Sequence, residues 1–170
     1  MARLFVATWP PPDVVAALHT VERPEQPGLR FTTEDQWHVT LRFLGSVADE
    51  DVAAVGSALD AVRSCAAVDA VLQPAPRRLG PTAVVFDVDG LESVAAAVAD
   101  AVGSFGGDDR RFHGHITVAR MRRPGHWPSG GVGPLPGVIR WPVHDVTLVQ
   151  SHLGGGPARY ETLATVPLAR

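Results

Sequence analysis

The sequence contains no lysine; all fifteen of its basic residues are arginine. A P-loop needs lysine for the nucleotide phosphates, and Schiff-base or lysyl-adenylate chemistry needs an amine nucleophile. An ATP-dependent ligase working through an adenylated lysine is therefore excluded. Cysteine is nearly as scarce. The single thiol, Cys65, can form no internal disulfide and no cysteine-cluster zinc site, and its helix-patterned surroundings predict a small packing role. No apolar run approaches the ~20 residues of a transmembrane helix. Only six residues separate Arg3 from Pro10, short of a signal-peptide core of about 7–15 residues, so a soluble cytoplasmic protein is expected. Positive charge is not in excess either. A net charge of −3 argues against broad coating of a nucleic acid.

What is present has a globular balance: 170 residues, 45% hydrophobic and 19% charged, enough for one domain over residues 1–170 with an ordinary core. Leu4–Trp9 alternates as a strand and stops at Pro10-Pro11-Pro12, after which Val14, Val15 and Leu18 mark a short helix. A brief strand around Leu29–Phe31 follows the Pro24–Gly28 loop. Asp49, Glu50 and Asp51 place acid at a helix N-terminus, and Val52, Val55, Leu59 and Val62 recur at helical spacing. Val68–Leu72 reads as a strand interrupted by Pro74 and Pro76, and Ala83–Val88 as a firmer one closed by Asp89-Gly90. Val94, Ala97, Val98, Ala101 and Val102 mark a third helix. Pro124–Gly137 reads as a surface loop. Three strands follow, Val138–Trp141, Val146–Gln150 and Tyr160–Val166, the last two joined across Gly154-Gly155-Gly156-Pro157. This order is α+β, with antiparallel or mixed sheets and helices outside.

Two stretches stand out. Trp37-His38-Val39-Thr40-Leu41-Arg42-Phe43-Leu44-Gly45 carries a His-x-Thr in an apolar, β-branched run that Gly45 is expected to close. Phe112-His113-Gly114-His115-Ile116-Thr117-Val118-Ala119-Arg120 repeats the device 77 positions later. Side chains alternate along a strand, so His38 and Thr40 share one face and His115 and Thr117 another. Val39, Leu41 and Phe43, or Ile116 and Val118, would then bury the opposite side. The halves look alike, each with an outer strand, an apolar helix and a His-x-Thr strand. Two such strands facing each other make a cleft with two imidazoles and two hydroxyls. Arg110, Arg111, Arg120, Arg122 and Arg123 crowd around the second motif and could draw an anion there.

A histidine pair suits phosphodiester hydrolysis, which needs one base and one acid near neutrality. A neutral imidazole takes a proton from water while a protonated one gives a proton to the leaving oxygen. Each threonine offers a hydroxyl to the phosphoryl group, and arginine adds charge-assisted bonds. No metal or other cofactor is required.

The paired His38-Val39-Thr40-Leu41 and His115-Ile116-Thr117-Val118 resemble the H-x-T-x motifs of the two-histidine (2H) phosphoesterases. Their surroundings resemble the RNA 2′,3′-cyclic phosphodiesterases of bacteria and archaea, also called 2′-5′ RNA ligases. So do Arg3-Leu4-Phe5-Val6-Ala7 at the start, and Val149-Gln150-Ser151-His152-Leu153-Gly154 and Tyr160-Glu161-Thr162-Leu163 near the end. The resemblance implies a bilobal, pseudo-symmetric fold, two mostly antiparallel sheets lining a central groove. It implies His38 and His115 as catalytic residues, with Thr40, Thr117, Arg120 and Phe43 binding substrate. The implied reaction opens a 2′,3′-cyclic phosphate on an RNA end or nucleotide to a 2′-phosphate, and its reverse would join ends 2′-5′ without ATP. Ser151 and Tyr160 would line the groove. Strict alternation, however, puts Arg120 and Phe43 on the faces opposite their histidines, so each strand must bend or end before them. Gly114 stands where the family commonly has proline and is expected to loosen the start of its strand.

The other candidates read as structural. His19 and His126 are expected in solvent, His144 and His152 as supports, and Trp9, Trp37, Trp127 and Trp141 as packing residues that could alternatively stack a base. His113 and His115 form a His-x-His that could begin a metal site, but Thr117 stands where a further acidic ligand would extend it. Against the hydrolase reading stand a non-catalytic nucleotide or RNA-end binding module in the same groove and a metal hydrolase built on His113 and His115. No obligate protein partner is implied, and a monomer is expected.

Overall fold

Alternation decides the first strand, β1 (Ala2–Thr8), in which Leu4 and Val6 are fully buried while Arg3 faces outward. This computed structural model describes residues 1–107, 110–122, 131–154 and 156–170, so the expectations placed on Arg123, His126, Trp127 and Gly155 lie outside the described residues. Helix α1 (Pro12–His19) begins at a proline whose missing N–H costs nothing in the first turn, and it buries Val14 and Leu18, four apart on one face. The acidic Asp49–Asp51 turn leads into α2 (Val52–Leu59), and Val55 and Leu59 are buried beneath it. Helix α3 (Glu92–Val102) buries Val94, Ala95, Val98 and Val102. These stripes pack on the inward residues of the strands. Each fully buried Leu, Ile or Phe, such as Leu4, Phe86 or Ile116, is worth roughly 1.5–3 kcal/mol of transfer free energy.

The remaining strands are β2 (Leu29–Phe31), β3 (Val39–Val47), β4 (Val68–Leu79), β5 (Ala83–Asp89), β6 (His115–Met121), β7 (Ile139–Val143), β8 (Asp145–His152) and β9 (Arg159–Pro167). Among the described residues, nine strands form one sheet in the order β7-β4-β5-β6-β3-β1-β8-β9, with β2 added to β6. Each pairing is antiparallel. The two expected sheets are its halves, β3-β1-β8-β9 and β6-β5-β4-β7. They meet at the centre through one residue pair, Val39 with Ile116. From that seam β3 and β6 run in opposite directions, and the helix-free face between them is the groove.

Four local expectations are corrected. Gly45 does not close its strand; at φ +78° it sits inside β3, which continues to Val47. Phe43 does not bury the helix side, since Leu44 takes that place and Phe43 is 38% exposed. Pro74 and Pro76 do not interrupt β4, which runs on to Leu79 through an irregular register between Leu72 and Pro76. Cys65 lies just beyond a tight turn at Asp60–Ser64, in extended backbone and partly packed on the core, not in a helix.

Gly114 is corrected too. The Val88 N–H donates to the Gly114 carbonyl at 2.9 Å. A Cβ at position 114 would collide with the Val88 carbonyl oxygen and press on the Phe112 ring. The glycine therefore lets the chain leading into β6 close up on β5 and does not loosen it. Gly114→Ala is expected to destabilise the fold by about 1–3 kcal/mol, the usual cost of overpacking, measured by urea unfolding.

Candidate active site

His38 stands at the start of β3, after a tight turn at Glu34–Gln36. The Gln36 carbonyl accepts a hydrogen bond from His38 Nδ1 at 2.9 Å. A carbonyl can only accept, so Nδ1 carries the proton and Nε2 is the nitrogen left for chemistry. His115 repeats this, with Nδ1 donating to the His113 carbonyl at 2.7 Å. Each motif thus fixes its own tautomer through the carbonyl two residues upstream.

The seam sets the mutual placement. With Val39 paired to Ile116, antiparallel register carried one residue to either side puts His38 opposite Thr117 and Thr40 opposite His115. Each imidazole faces the other motif's hydroxyl across one cleft of about 410 Å³ that all four residues line.

Phe43 and Arg120 also line this cleft. They reach it because each motif strand carries a β-bulge at the matching place. Against β1, Val6 pairs with Arg42 and Ala7 with Thr40, leaving Leu41 as the extra residue. Against β5, Val84 pairs with Ala119 and Val85 with Thr117, leaving Val118 extra. One extra residue inverts the alternation beyond it. Val118 and Ala119 are consequently buried in succession, and Arg120 emerges beside His115 and Thr117.

Buried groups hold the two motifs together. Trp37 Nε1 donates to Thr32 Oγ1 at 2.9 Å, and Thr32 Oγ1 donates to the Thr117 carbonyl at 2.8 Å. Gln36 Nε2 donates to the Ala158 carbonyl at 3.0 Å, tying the β8–β9 hairpin to the turn that holds His38.

The sequence profile of the LigT-like phosphoesterases matches residues 9–77, which include the first motif. A solved Thermus thermophilus protein, TT0787, matches with a TM-score of 0.74 at 28% identity over 97% of each chain. Escherichia coli LigT, crystallised with 3′-AMP, matches with a TM-score of 0.77 at 25% identity over 98% of each chain. Part of the chain, residues 9–77, thus resembles the LigT-like phosphoesterases, and the whole chain shares the fold of E. coli LigT. A further phosphoesterase structure, 24% identical, shares the fold with a TM-score of 0.79 over the whole of both chains. No curated protein sequence matches the chain.

The two imidazoles sit in unequal surroundings. His38 lies among Phe5, Trp9 and Tyr160, with ring centroids at 4.9, 5.4 and 5.0 Å. Burial there pushes its pKa down to about 4; the Gln36 carbonyl opposes the shift, and His115 and Arg120 add to it. Burial also lowers the pKa of His115, opposed by the His113 carbonyl. Arg77 and Arg120 lower it further, while Asp87, its cross-strand partner on β5, pulls it back up. Burial raises the Tyr160 hydroxyl above its ordinary value, with Arg120 opposing.

Of the crowded arginines, only Arg120 lines the cleft among the described residues; Arg110 borders a separate hollow, and Arg111 and Arg122 are exposed elsewhere. The cleft's other cations are Arg3 on β1 and Arg30, the β2 residue paired with Arg120. The sequence reading assigned no site role to Arg30, Gln36 or Phe5. For Arg3 and Phe5 a signal existed, since both fall on the phase of β1 that alternates with Leu4 and Val6. Ser151 and Tyr160 line the cleft as the resemblance implied. His19 pairs with Glu34 at 3.0 Å and His152 with Glu161 at 2.8 Å, both on the surface. Trp37 and Trp141 are buried packing residues. Among the described residues, no three His, Cys, Asp or Glu side chains gather as a metal site.

The depressed His38 value carries a stability consequence with a definite sign. Between about 4 and the ordinary 6.5, the unfolded chain binds a proton at His38 that the folded chain refuses. Stability from this source is complete above pH 6.5 and declines as pH falls through that window. His38→Asn is expected to flatten the decline, measured by urea midpoints across the window.

Proposed function

We propose that the cleft hydrolyses the 2′,3′-cyclic phosphate of an RNA end or nucleotide to a 2′-phosphate, with His38 and His115 as the acid–base pair. The observation that carries this reading is that both imidazoles line one cleft, each with Nδ1 bonded to a backbone carbonyl and Nε2 left for chemistry. One imidazole takes a proton from water as the water oxygen attacks phosphorus. The P–O3′ bond breaks, and the other imidazole, protonated, delivers its proton to the departing 3′-oxygen. The pair ends with the proton exchanged, and solvent resets it. Thr40 and Thr117 donate to the non-bridging oxygens, and Arg120 stabilises the charge that builds on them. Phe43 supports the ribose or base. The crystallisation of E. coli LigT with 3′-AMP supports a nucleotide as the occupant.

An RNA 5′-hydroxyl attacking in place of water would give a 2′-5′ linkage through the same transition state, with no nucleotide triphosphate consumed. The scheme asks nothing of a metal.

His38→Ala and His115→Ala are each expected to lower kcat by at least about a hundredfold, the usual worth of a positioned acid or base, with folding intact. Phosphorus NMR of a nucleoside 2′,3′-cyclic phosphate in EDTA reads this directly. Conversion to the 2′-monophosphate by the wild type alone supports the reading. Full activity in either variant overturns it, and binding of the product without turnover by the wild type would favour a binding module. Loss in EDTA, restored by a divalent ion, would favour a metal hydrolase.

The pH dependence follows from the lowered imidazoles. The working form carries one proton on the pair, and both groups titrate below the ordinary 6.5. The kcat/KM profile is expected to be a bell with its maximum on the acid side of pH 6.5, falling as the pair loses its proton. A maximum above pH 7 would contradict it.

A further inference from the structure

The cleft carries more positive charge than the proposed reaction uses. Among the described residues its lining includes Arg3, Arg30 and Arg120 and no aspartate or glutamate, and none of the three arginines is paired with a carboxylate. In a chain of net charge −3, this concentration is local and not a by-product of overall basicity. A cyclic phosphodiester brings one negative charge.

The three cations form two groups. Arg30 and Arg120 are direct cross-strand partners on β2 and β6, beyond the second motif. Arg3 stands apart on β1, beside the far end of the first motif. Its guanidinium lies 4.8 Å from the centroid of the Phe43 ring, a cation–π contact. Next to it, one residue on from the Leu4–Gln150 pair, comes Ser151, whose hydroxyl belongs to the same lining. Phe43 and Leu153, 38% and 66% exposed, border this end with apolar surface. A guanidinium, a hydroxyl-bearing residue and apolar surface at one end of the cleft suit a second phosphate.

We infer that Arg3 binds the phosphate on the 5′ side of the nucleotide whose cyclic phosphate lies between the histidines, so that a substrate bearing that phosphate is preferred over a simple nucleoside 2′,3′-cyclic phosphate. This rests on the cyclic phosphodiesterase reading for its geometry and selects among the substrates that reading allows. The 5′ phosphate can be a terminal monoester or the internucleotide diester of an RNA end; the chemistry Arg3 recognises is common to both. One bidentate guanidinium–phosphate contact is expected to be worth about tenfold or more.

The test compares kcat/KM for adenosine 2′,3′-cyclic phosphate, its 5′-phosphorylated form and a dinucleotide ending in the cyclic phosphate. The wild type is expected to favour the second or third by at least about tenfold, mainly through KM. A gain with the dinucleotide marks the RNA end as the source, and a gain with the 5′-monophosphate alone marks the free nucleotide. In Arg3→Gln the preference ratio is expected to collapse towards one. Arg120→Gln should lower all three substrates together and leave the ratio standing. Equal kcat/KM for the three in the wild type, or a ratio that survives Arg3→Gln, overturns the inference.

Calorimetric titration with adenosine 2′-phosphate and adenosine 2′,5′-bisphosphate reads the same preference without turnover. Absence of turnover with preferential, Arg3-dependent binding of the bisphosphate would sink the hydrolase reading and keep this one. Turnover with no such preference would do the reverse.

Discussion

A single antiparallel pairing, Val39 with Ile116, holds the centre of the molecule. Both side chains are fully buried against the helices, so the seam is fixed from below by packing. Above it nothing need fill the space, because the two strands diverge as soon as they have met. Had they stayed paired along their length, their outward faces would have formed a flat sheet with the two histidines as surface residues. Brief contact followed by divergence turns a sheet face into a cleft. The same register places each histidine against the opposite motif's threonine, so the two half-sites form one symmetric cradle.

The bulges at Leu41 and Val118 are the second requirement. A regular strand offers every other residue to the cleft, and the fifth residue after each histidine falls on the wrong phase. One extra residue at this matching place in each strand corrects this while leaving the buried side continuous, as the successive burial of Val118 and Ala119 shows. Around this frame the supporting bonds are short-range and backbone-based. The carbonyls of Gln36 and His113 orient the rings. Thr32 links Trp37 to the Thr117 carbonyl. Preorganisation of this kind needs no further charged side chain against either imidazole.

Much of this was legible in the residues. Helical stripes such as Val55 and Leu59, and the alternation of β1, follow from periodicity alone, and the duplicated His-x-Thr announced the site. What stayed hidden depended on partners distant in sequence. A bulge is a mismatch between two strands, so nothing in Leu41 or Val118 advertises it. Arg30 looks like any outward residue until β2 is seen beside β6. Gln36 owes its place to a carbonyl 122 positions away. The arginines around the second motif misled for the opposite reason. Closeness in sequence counted for little once strand phase and a change of direction sent Arg110, Arg111 and Arg122 elsewhere.

The charge of the cleft lining has a thermodynamic corollary. The lining holds three guanidiniums, and among the described residues it offers no carboxylate, thiol or amine. Near neutrality, then, the imidazoles alone let its charge vary, and in the empty cleft those are pressed towards neutrality. An arriving anion relieves that pressure, so occupancy and proton uptake are linked functions of one another. By reciprocity, acidity tightens the hold on the anion by the same factor that the anion raises proton affinity. The cleft lining therefore couples anion binding to protonation: an anion held there and a proton on its imidazoles would each favour the other.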